Sequence, residues 1–136
     1  RRKTRSLDGE TVMWKFFSEN ELKCKGTGEL DMDEEFMEKL VAIREKLNLP
    51  MTITSGYRSK EHNEAIGGAK NSPHIYGKAV DIACHGEKAY KIVQLALEAG
   101  FTGIGVKQKG AHGSRFIHID TMEVGPLVPR PWIWSY

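Results

Sequence analysis

The sequence lacks long apolar runs, has few cysteines and carries little excess charge. No stretch approaches the roughly 18 consecutive apolar residues of a membrane-spanning helix, and no apolar segment of a secretion signal begins the chain, so we expect no membrane span. The formal net charge of +2 gives no reason to expect nucleic acid as a partner. Cys24 and Cys84 form no C-x-x-C pair. A disulfide, free thiols and two buried small apolar side chains stay open, and we expect the last.

Length and composition indicate one domain with its own core. The chain has 136 residues, of which 40% are hydrophobic, so it needs no disulfide staples. Basic residues crowd the N-terminus, where a solvated tail is favoured over a contact with nucleic acid or an anionic wall; they are Arg1, Arg2, Lys3 and Arg5. We predict a basic flexible tail over residues 1–15 and one domain over residues 16–136, and we expect a monomer.

Hydrophobic periodicity predicts helices segregated from a run of antiparallel strands. Helical patterns cover residues 18–22, 33–47, 59–66 and 87–99, and strand patterns cover residues 51–54, 79–83, 101–106 and 115–121. These patterns are typical of an α+β fold. We predict a single domain with a central antiparallel sheet, helices packed on one side, and polar site residues on the sheet.

Two histidines and an aspartate lie where their side chains can meet. His74 precedes Asp81 by seven positions, in a segment that Pro73 and Gly77 predict to be a loop running into a strand. His118 lies on a strand that alternates between two faces. Two imidazoles, one carboxylate and a water match a catalytic zinc site. A capped loop histidine beside an ordinary strand aspartate explains the same residues, and both interpretations stay open on spacing alone.

Three motifs resemble those of the zinc D-alanyl-D-alanine peptidases, peptidase family M15. They are Ser55-Gly56-Tyr57-Arg58-Ser59, Ser72-x-His74-x-x-Gly77-x-Ala79-x-Asp81-Ile82 and Phe116-Ile117-His118-Ile119-Asp120. The resemblance covers residues 16–136, and the ending Arg130–Tyr136 is similar to that of the carboxypeptidase branch. The family also contains vancomycin-resistance dipeptidases and phage endolysins, and it shares its fold with the amino-terminal domain of Hedgehog.

The resemblance implies a zinc peptidase of the bacterial cell wall. It implies that His74, Asp81 and His118 bind Zn²⁺ and that Arg58 holds a substrate carbonyl or carboxylate. Ser72 either binds substrate or caps its loop. The implied reaction is hydrolysis of peptidoglycan stem peptides by a D-alanyl-D-alanine carboxypeptidase or an endolysin-type endopeptidase, at the cell wall or in the periplasm. Delivery by a phage or release at lysis would explain the absence of a signal peptide.

The general base is where the sequence departs from the family pattern. Several relatives have an acidic residue or a histidine three positions before the second histidine ligand, and here that position is Arg115. His112 is one candidate proton relay. The alternative is that it is simply an exposed loop histidine. Asp120 is another candidate, either as the base or as the residue that orients an imidazole. Because the expected base is missing, a non-catalytic zinc-containing wall-binding or virion module of the same fold stays open.

Overall fold

The computed structural model describes residues 14–136. The N-terminal basic cluster predicted to form a tail lies outside the described residues, so the tail and the domain boundary stay predictions. Among the described residues, Trp14 packs against the hydrophobic core, and Nζ of Lys15 lies 2.7 Å from a carboxylate oxygen of Glu45.

The described residues form four α-helices and five β-strands. The helices are α1 (Glu19–Leu22), α2 (Glu34–Leu47), α3 (Lys60–Ala65) and α4 (Gly86–Glu98), and the strands are β1 (Thr52–Ser55), β2 (Ala79–Ala83), β3 (Gly103–Lys107), β4 (Phe116–Asp120) and β5 (Trp132–Ser135). Two short 3₁₀ helices cover Pro73–Tyr76 and His112–Ser114. No helix among these residues is long and apolar enough to cross a membrane.

Local capping chemistry fixes where the helices begin. Ser18 and Glu21 form a reciprocal capping box at α1, as the sequence predicts. The Asp33 carboxylate accepts a 2.9 Å hydrogen bond from the backbone N–H of Phe36, which starts α2. Ser59 caps α3 in the same way. The predicted helix bounds therefore agree with the structure to within a residue or two.

The five strands form one mixed sheet in the order β1-β2-β4-β3-β5. The first four strands pair antiparallel, as predicted. The fifth strand has no counterpart among the predicted strands, and it runs parallel to β3 along the outer edge. Parallel neighbours need a crossover connection, and here β4 and the segment 121–131 supply it. The α+β prediction is confirmed, with this parallel pair as the difference in detail.

The two faces of the sheet have different chemistry. One face packs its branched side chains against α2 and α4 and forms the core; the strand residues buried there include Ile53, Val80, Ile82, Ile104, Ile117 and Ile119. The opposite face carries the polar residues singled out above. Cys24 and Cys84 are buried and form no disulfide, as expected.

Candidate metal centre

His74 lies on the short 3₁₀ helix Pro73–Tyr76, not on the irregular loop that we predicted. Pro73 occupies a first-turn position, where a missing N–H costs nothing, and Gly77 ends the turn with a left-handed φ of 68°. The hydroxyl of buried Ser72 accepts a 3.2 Å hydrogen bond from the backbone N–H of His74. The two residues taken as helix breakers therefore bound a single tight turn that fixes the histidine.

Asp81 and His118 are direct neighbours across the antiparallel pair β2 and β4. The Oδ1 atom of Asp81 lies 3.0 Å from Nδ1 of His118 and 3.3 Å from Nε2 of His74. One ligand atom from each of the three residues lies within 4.8 Å of the others. The structure thus brings together the three residues that the sequence singled out, and all three are largely buried.

In each imidazole, the ring nitrogen that points away from Asp81 is hydrogen-bonded to an acceptor. This contact decides which nitrogen carries the proton and which has a free lone pair. Nδ1 of His74 lies 2.7 Å from the backbone carbonyl oxygen of Gly56, which can only accept, so this nitrogen carries the proton. Nε2 of His118 lies 2.7 Å from Oδ2 of Asp120 and donates to it. In their neutral forms, Nε2 of His74 and Nδ1 of His118 are therefore free to bind a metal ion.

The electrostatics of the metal-free site are dominated by burial and by two carboxylates. Burial lowers the pKa of His74, and the hydrogen bond and charge of Asp81 offset this only in part. Burial would lower the pKa of His118 too, but the hydrogen bonds and charges of Asp120 and Asp81 outweigh it and raise the pKa. Burial would raise the pKa of Asp81, but its close contacts with His118 and His74 outweigh burial and lower the pKa below its usual range.

The donor set fits zinc. Two imidazole nitrogens and one carboxylate oxygen are the ligands of many catalytic zinc sites, which leave a further position open. Each imidazole also has the outer hydrogen bond that zinc-binding histidines have, to Gly56 in one case and to Asp120 in the other. Neither cysteine belongs to the group, and cysteine ligands are typical of closed structural sites.

Arg58 reaches the same site from the turn after β1. Its Nη2 lies 3.7 Å from Oδ2 of Asp81, its Nε donates to Ser55 at 3.3 Å and its Nη1 donates to Asn63 at 3.1 Å. The amide of buried Asn63 in turn donates a 2.8 Å hydrogen bond to the carbonyl oxygen of Ala69. The guanidinium is therefore held in one orientation, and no sequence motif predicts this role for Asn63.

Asp120 has no exposed surface and accepts hydrogen bonds on both oxygens. Besides the contact with His118, it forms a two-point ion pair with Arg130, through Nε at 3.0 Å and Nη2 at 2.9 Å. Hydrogen bonds from His118 and Arg130 outweigh its burial and lower the pKa of Asp120. These contacts match the orienting role that we considered for Asp120, and they leave its carboxylate without access to a water in the cleft.

A cleft of about 740 Å³ opens over the three residues. The residues that line it include His74, Asp81 and His118, which we call its floor, and also Ser72 and Arg58. The segment Leu127–Arg130 with Trp132, Trp134 and Tyr136 lines it too, and we call this group the cleft wall. The ring of Trp134 lies 5.1 Å from that of His118, measured between centroids. The ending Arg130–Tyr136, with its alternating tryptophans, is the sequence signal for this wall, but it does not indicate that Arg130 contacts Asp120.

The other candidate base, His112, lies away from the cleft. His112 is exposed and stacks on His85, with ring centroids 4.3 Å apart, and neither residue lines the cleft. Arg115 donates from Nε and Nη2 to the carbonyl oxygen of Gly110. His62 lies in α3 outside the three-residue group. The structure therefore brings neither His112 nor Arg115 to the metal centre.

Comparison with known proteins gives the same family as the motifs. A family model described as peptidase M15 matches residues 15–120. A zinc D-Ala-D-Ala carboxypeptidase of Streptomyces albus G is 39% identical over 69 residues, which are 50% of this chain but only 27% of that protein. A probable peptidoglycan L,D-endopeptidase MepK of Haemophilus influenzae is 33% identical over 142 residues, which cover 93% of this chain and 72% of the relative.

Proposed function

The chain belongs to the peptidase M15 family, and from this premise we propose that it is a zinc-dependent hydrolase of peptide bonds in peptidoglycan stem peptides. The observation that carries the proposal is the convergence of His74, Asp81 and His118 within 4.8 Å beneath an open cleft. Of the two similar proteins, one is named as a D-Ala-D-Ala carboxypeptidase and the other as a probable peptidoglycan endopeptidase. The site of action is then the bacterial cell wall.

The proposed ligand atoms are Nε2 of His74, a carboxylate oxygen of Asp81 and Nδ1 of His118. Zinc held there would supply a Lewis acid that polarises a carbonyl group and lowers the pKa of a water molecule toward neutrality. Arg58, fixed by Ser55 and Asn63, is the cation nearest to Asp81 and would donate to the carbonyl or a carboxylate of the substrate. The geometry supports an acyl-transfer reaction with water as the acceptor.

The residues that line the cleft support binding of an extended peptide. Leu127 and Trp132 are exposed apolar side chains on its wall, and Lys70 lines the cleft as a further cation beside Arg58 and Arg130. Apolar walls exclude water from the bond being cut, and cations attract the carboxylates of a stem peptide. Ser72 already accepts the N–H of His74, so we assign it to capping, with its hydroxyl proton still free to donate to the substrate.

One observation favours a second candidate, a non-catalytic zinc-containing module that binds the wall or forms part of a virion. Among the described residues that line the cleft, Asp81 is the only carboxylate, and it belongs to the proposed ligand set. No separate acidic group is thus in reach as a general base. A domain of this kind would retain wall binding and metal but release no peptide.

Release of peptides from purified peptidoglycan separates the two candidates. The zinc-loaded protein, the protein treated with chelator, and the chelated protein after zinc is restored are incubated with wall, and soluble peptides are identified by mass spectrometry. An enzyme releases peptides only in the first and third samples. Sedimentation of zinc-loaded protein with the wall, without any released peptide, supports the binding module and contradicts the proposed activity.

The released products identify the bond that is cut. A D-alanyl-D-alanine carboxypeptidase removes one terminal D-alanine from a pentapeptide, whereas an endopeptidase divides cross-linked or internal bonds. The alignment over 93% of the chain with an L,D-endopeptidase favours the second reaction. An endolysin-type role in bacteriophage lysis is a narrower proposal, which predicts a rapid fall in turbidity when the protein is added to permeabilised cells.

A further inference from the structure

Arg130 forms a two-point ion pair with Asp120 at the centre of a buried cluster. Its Nε and Nη2 atoms donate to the two different carboxylate oxygens, at 3.0 and 2.9 Å. Such a fork fixes the plane of the carboxylate as well as its charge. The side chain of Arg130 is only 9% exposed and that of Asp120 is fully buried, so solvent screens the pair little.

The carboxylate that Arg130 holds is also the hydrogen-bond acceptor of His118. Oδ2 accepts from Nε2 of His118 at 2.7 Å, and Oδ1 accepts from the backbone N–H of Met122 at 3.2 Å. The Arg130 fork is what fixes the plane of this carboxylate. Without it the carboxylate can rotate, and rotation weakens the hydrogen bond that orients His118.

The guanidinium and the imidazole also share an aromatic neighbour. The Arg130 guanidinium carbon lies 5.3 Å from the ring centre of Trp134, and the same indole lies 5.1 Å from the His118 ring. Trp134 can lie against the sheet because position 105 is glycine, where a Cβ would come within 2.7 Å of the indole nitrogen. His118, Asp120, Arg130 and Trp134 therefore form one closed set of contacts, which we call the Arg130 cluster.

Arg130 further belongs to the segment that walls the cleft. Leu127, Val128 and Pro129 line the cleft immediately before it. This segment has an internal bridge, with mutual backbone hydrogen bonds between Gly125 and Val128, so its own turn does not depend on Arg130. The contact with Asp120 is what ties this wall to the floor of the site.

We propose that Arg130 is a positioning residue, which orients His118 through Asp120 and holds the cleft wall formed by residues 127–130 against the metal centre. The inference extends the proposed zinc function, because His118 is one of its ligands. Metal binding and the position of the substrate wall are then coupled through one ion pair. Charge alone is not sufficient, because only a guanidinium reaches both carboxylate oxygens at once.

The first test uses the metal-free protein and follows the ring N–H protons of the histidines by NMR. In the wild type, the Nε2–H of His118 should exchange slowly with water, as should the Nδ1–H of His74, which donates to Gly56 outside the Arg130 cluster. In Arg130→Gln we expect exchange of the His118 proton to accelerate about tenfold or more, while the His74 proton is unchanged and reports intact folding. Equal exchange of the His118 proton in both proteins would overturn the proposal, and so would its rapid exchange in the wild type.

The second test measures zinc affinity by competition with a chromophoric chelator. Loss of an outer hydrogen-bond partner typically weakens metal binding about 10 to 100-fold, which is what we expect for Arg130→Gln. Arg130→Lys should recover only part of this loss, whereas Arg115→Gln, an arginine bonded only to the Gly110 carbonyl, should bind zinc like the wild type. Unchanged affinity in Arg130→Gln contradicts the inference. A wild type that binds no zinc contradicts the proposed function instead, and the proton exchange then decides the role of Arg130 alone.

Discussion

The Nδ1–H of His74 donates to the backbone carbonyl oxygen of Gly56 across 18 positions of sequence, at 2.7 Å. The backbone N–H of Arg58 returns the contact, donating to the carbonyl oxygen of His74 at 3.1 Å. The turn after β1 and the 3₁₀ helix Pro73–Tyr76 are thus joined in both directions. A proposed metal ligand and the nearest cation are therefore held in a fixed relation by one hydrogen bond from the His74 ring and one between backbone groups.

Removing a proposed ligand should remove the metal. We expect His74→Ala and His118→Ala to lose the zinc that the wild type holds at about one ion per chain, and to lose peptide release with it. The metal binds only the folded state, so chelation should lower the thermal midpoint of the wild type by an amount worth about 4 kcal/mol where free zinc is 1,000-fold above its dissociation constant. His62→Ala, a substitution in α3, is the control. Full zinc content in both ligand variants contradicts the assignment.

The role of Arg58 depends on geometry. We expect Arg58→Lys to be nearly as damaging as Arg58→Ala, because an ammonium group cannot reproduce the fork fixed by Ser55 and Asn63. If Arg58 meets the developing oxyanion, kcat falls by about 10² to 10³-fold. If it clamps a substrate carboxylate, KM rises instead, and amidating the peptide weakens wild-type binding comparably. Wild-type kcat and KM in a zinc-loaded lysine variant contradict both roles.

Sequence patterns were sufficient to bring Asp81 and His118 together because both residues lie on strands with clear alternation. Alternation in β2 and β4 fixes the faces of Asp81 and His118, and their antiparallel pairing then makes them neighbours. The cap residues Ser18, Asp33 and Ser59 likewise carry the signals that start α1, α2 and α3. These features depend on chemistry within a few residues, which a sequence displays directly.

The outer contacts of the site could not be predicted in the same way. Arg130 meets Asp120 from an irregular segment without periodicity, and Asn63 reaches Arg58 from a short helix whose orientation depends on tertiary packing. The parallel pairing of β5 with β3 is a further long-range feature. His112 has the right chemistry for a base, but its position is set by the 3₁₀ helix His112–Ser114 and by stacking on His85.

The candidate bases are separated by substitution in variants that keep their zinc. We expect His112→Ala to retain wild-type turnover, because this exposed histidine stacks on His85 and does not line the cleft. Asp120→Asn should weaken zinc binding, since it removes the charge that Arg130 and His118 both contact. At saturating zinc, the loss of a true base costs about 10² to 10⁴-fold in rate. A loss of that size in His112→Ala would show that the loop moves into the cleft and would restore His112 as the base.

The metal-free protein should become less stable as pH rises above neutrality. The pKa of His118 in the fold is raised above its usual value of 6.5, so the protonated ring stabilises the fold below that pH. This contribution disappears as pH rises through the raised pKa. His74, whose pKa is lowered, contributes in the opposite direction near pH 6.5, because its ring is neutral in the fold and still partly protonated in the unfolded chain. The difference in thermal midpoint between the wild type and His118→Asn, followed from pH 6.5 upward, isolates the His118 contribution and tests its sign. Zinc affinity should rise over the same range, because the metal displaces this proton.

Gly103 on β3 pairs with Asp120 on the neighbouring strand β4. A Cβ at position 103 would collide with the Asp120 carboxylate, whereas a Cβ at position 113 meets nothing within 4 Å, and neither glycine has a left-handed φ. Gly103→Ala and Gly113→Ala therefore differ in available space and not in backbone strain. Overpacking typically costs about 1 to 3 kcal/mol, so we expect Gly103→Ala to lower the free energy of unfolding by that amount and Gly113→Ala to leave it nearly unchanged.

Because the displaced carboxylate orients His118, zinc affinity should fall in Gly103→Ala as well. Denaturant unfolding of the metal-free proteins and chelator competition measure the two effects separately, and a stable Gly103→Ala variant with normal zinc affinity would show that Asp120 tolerates displacement.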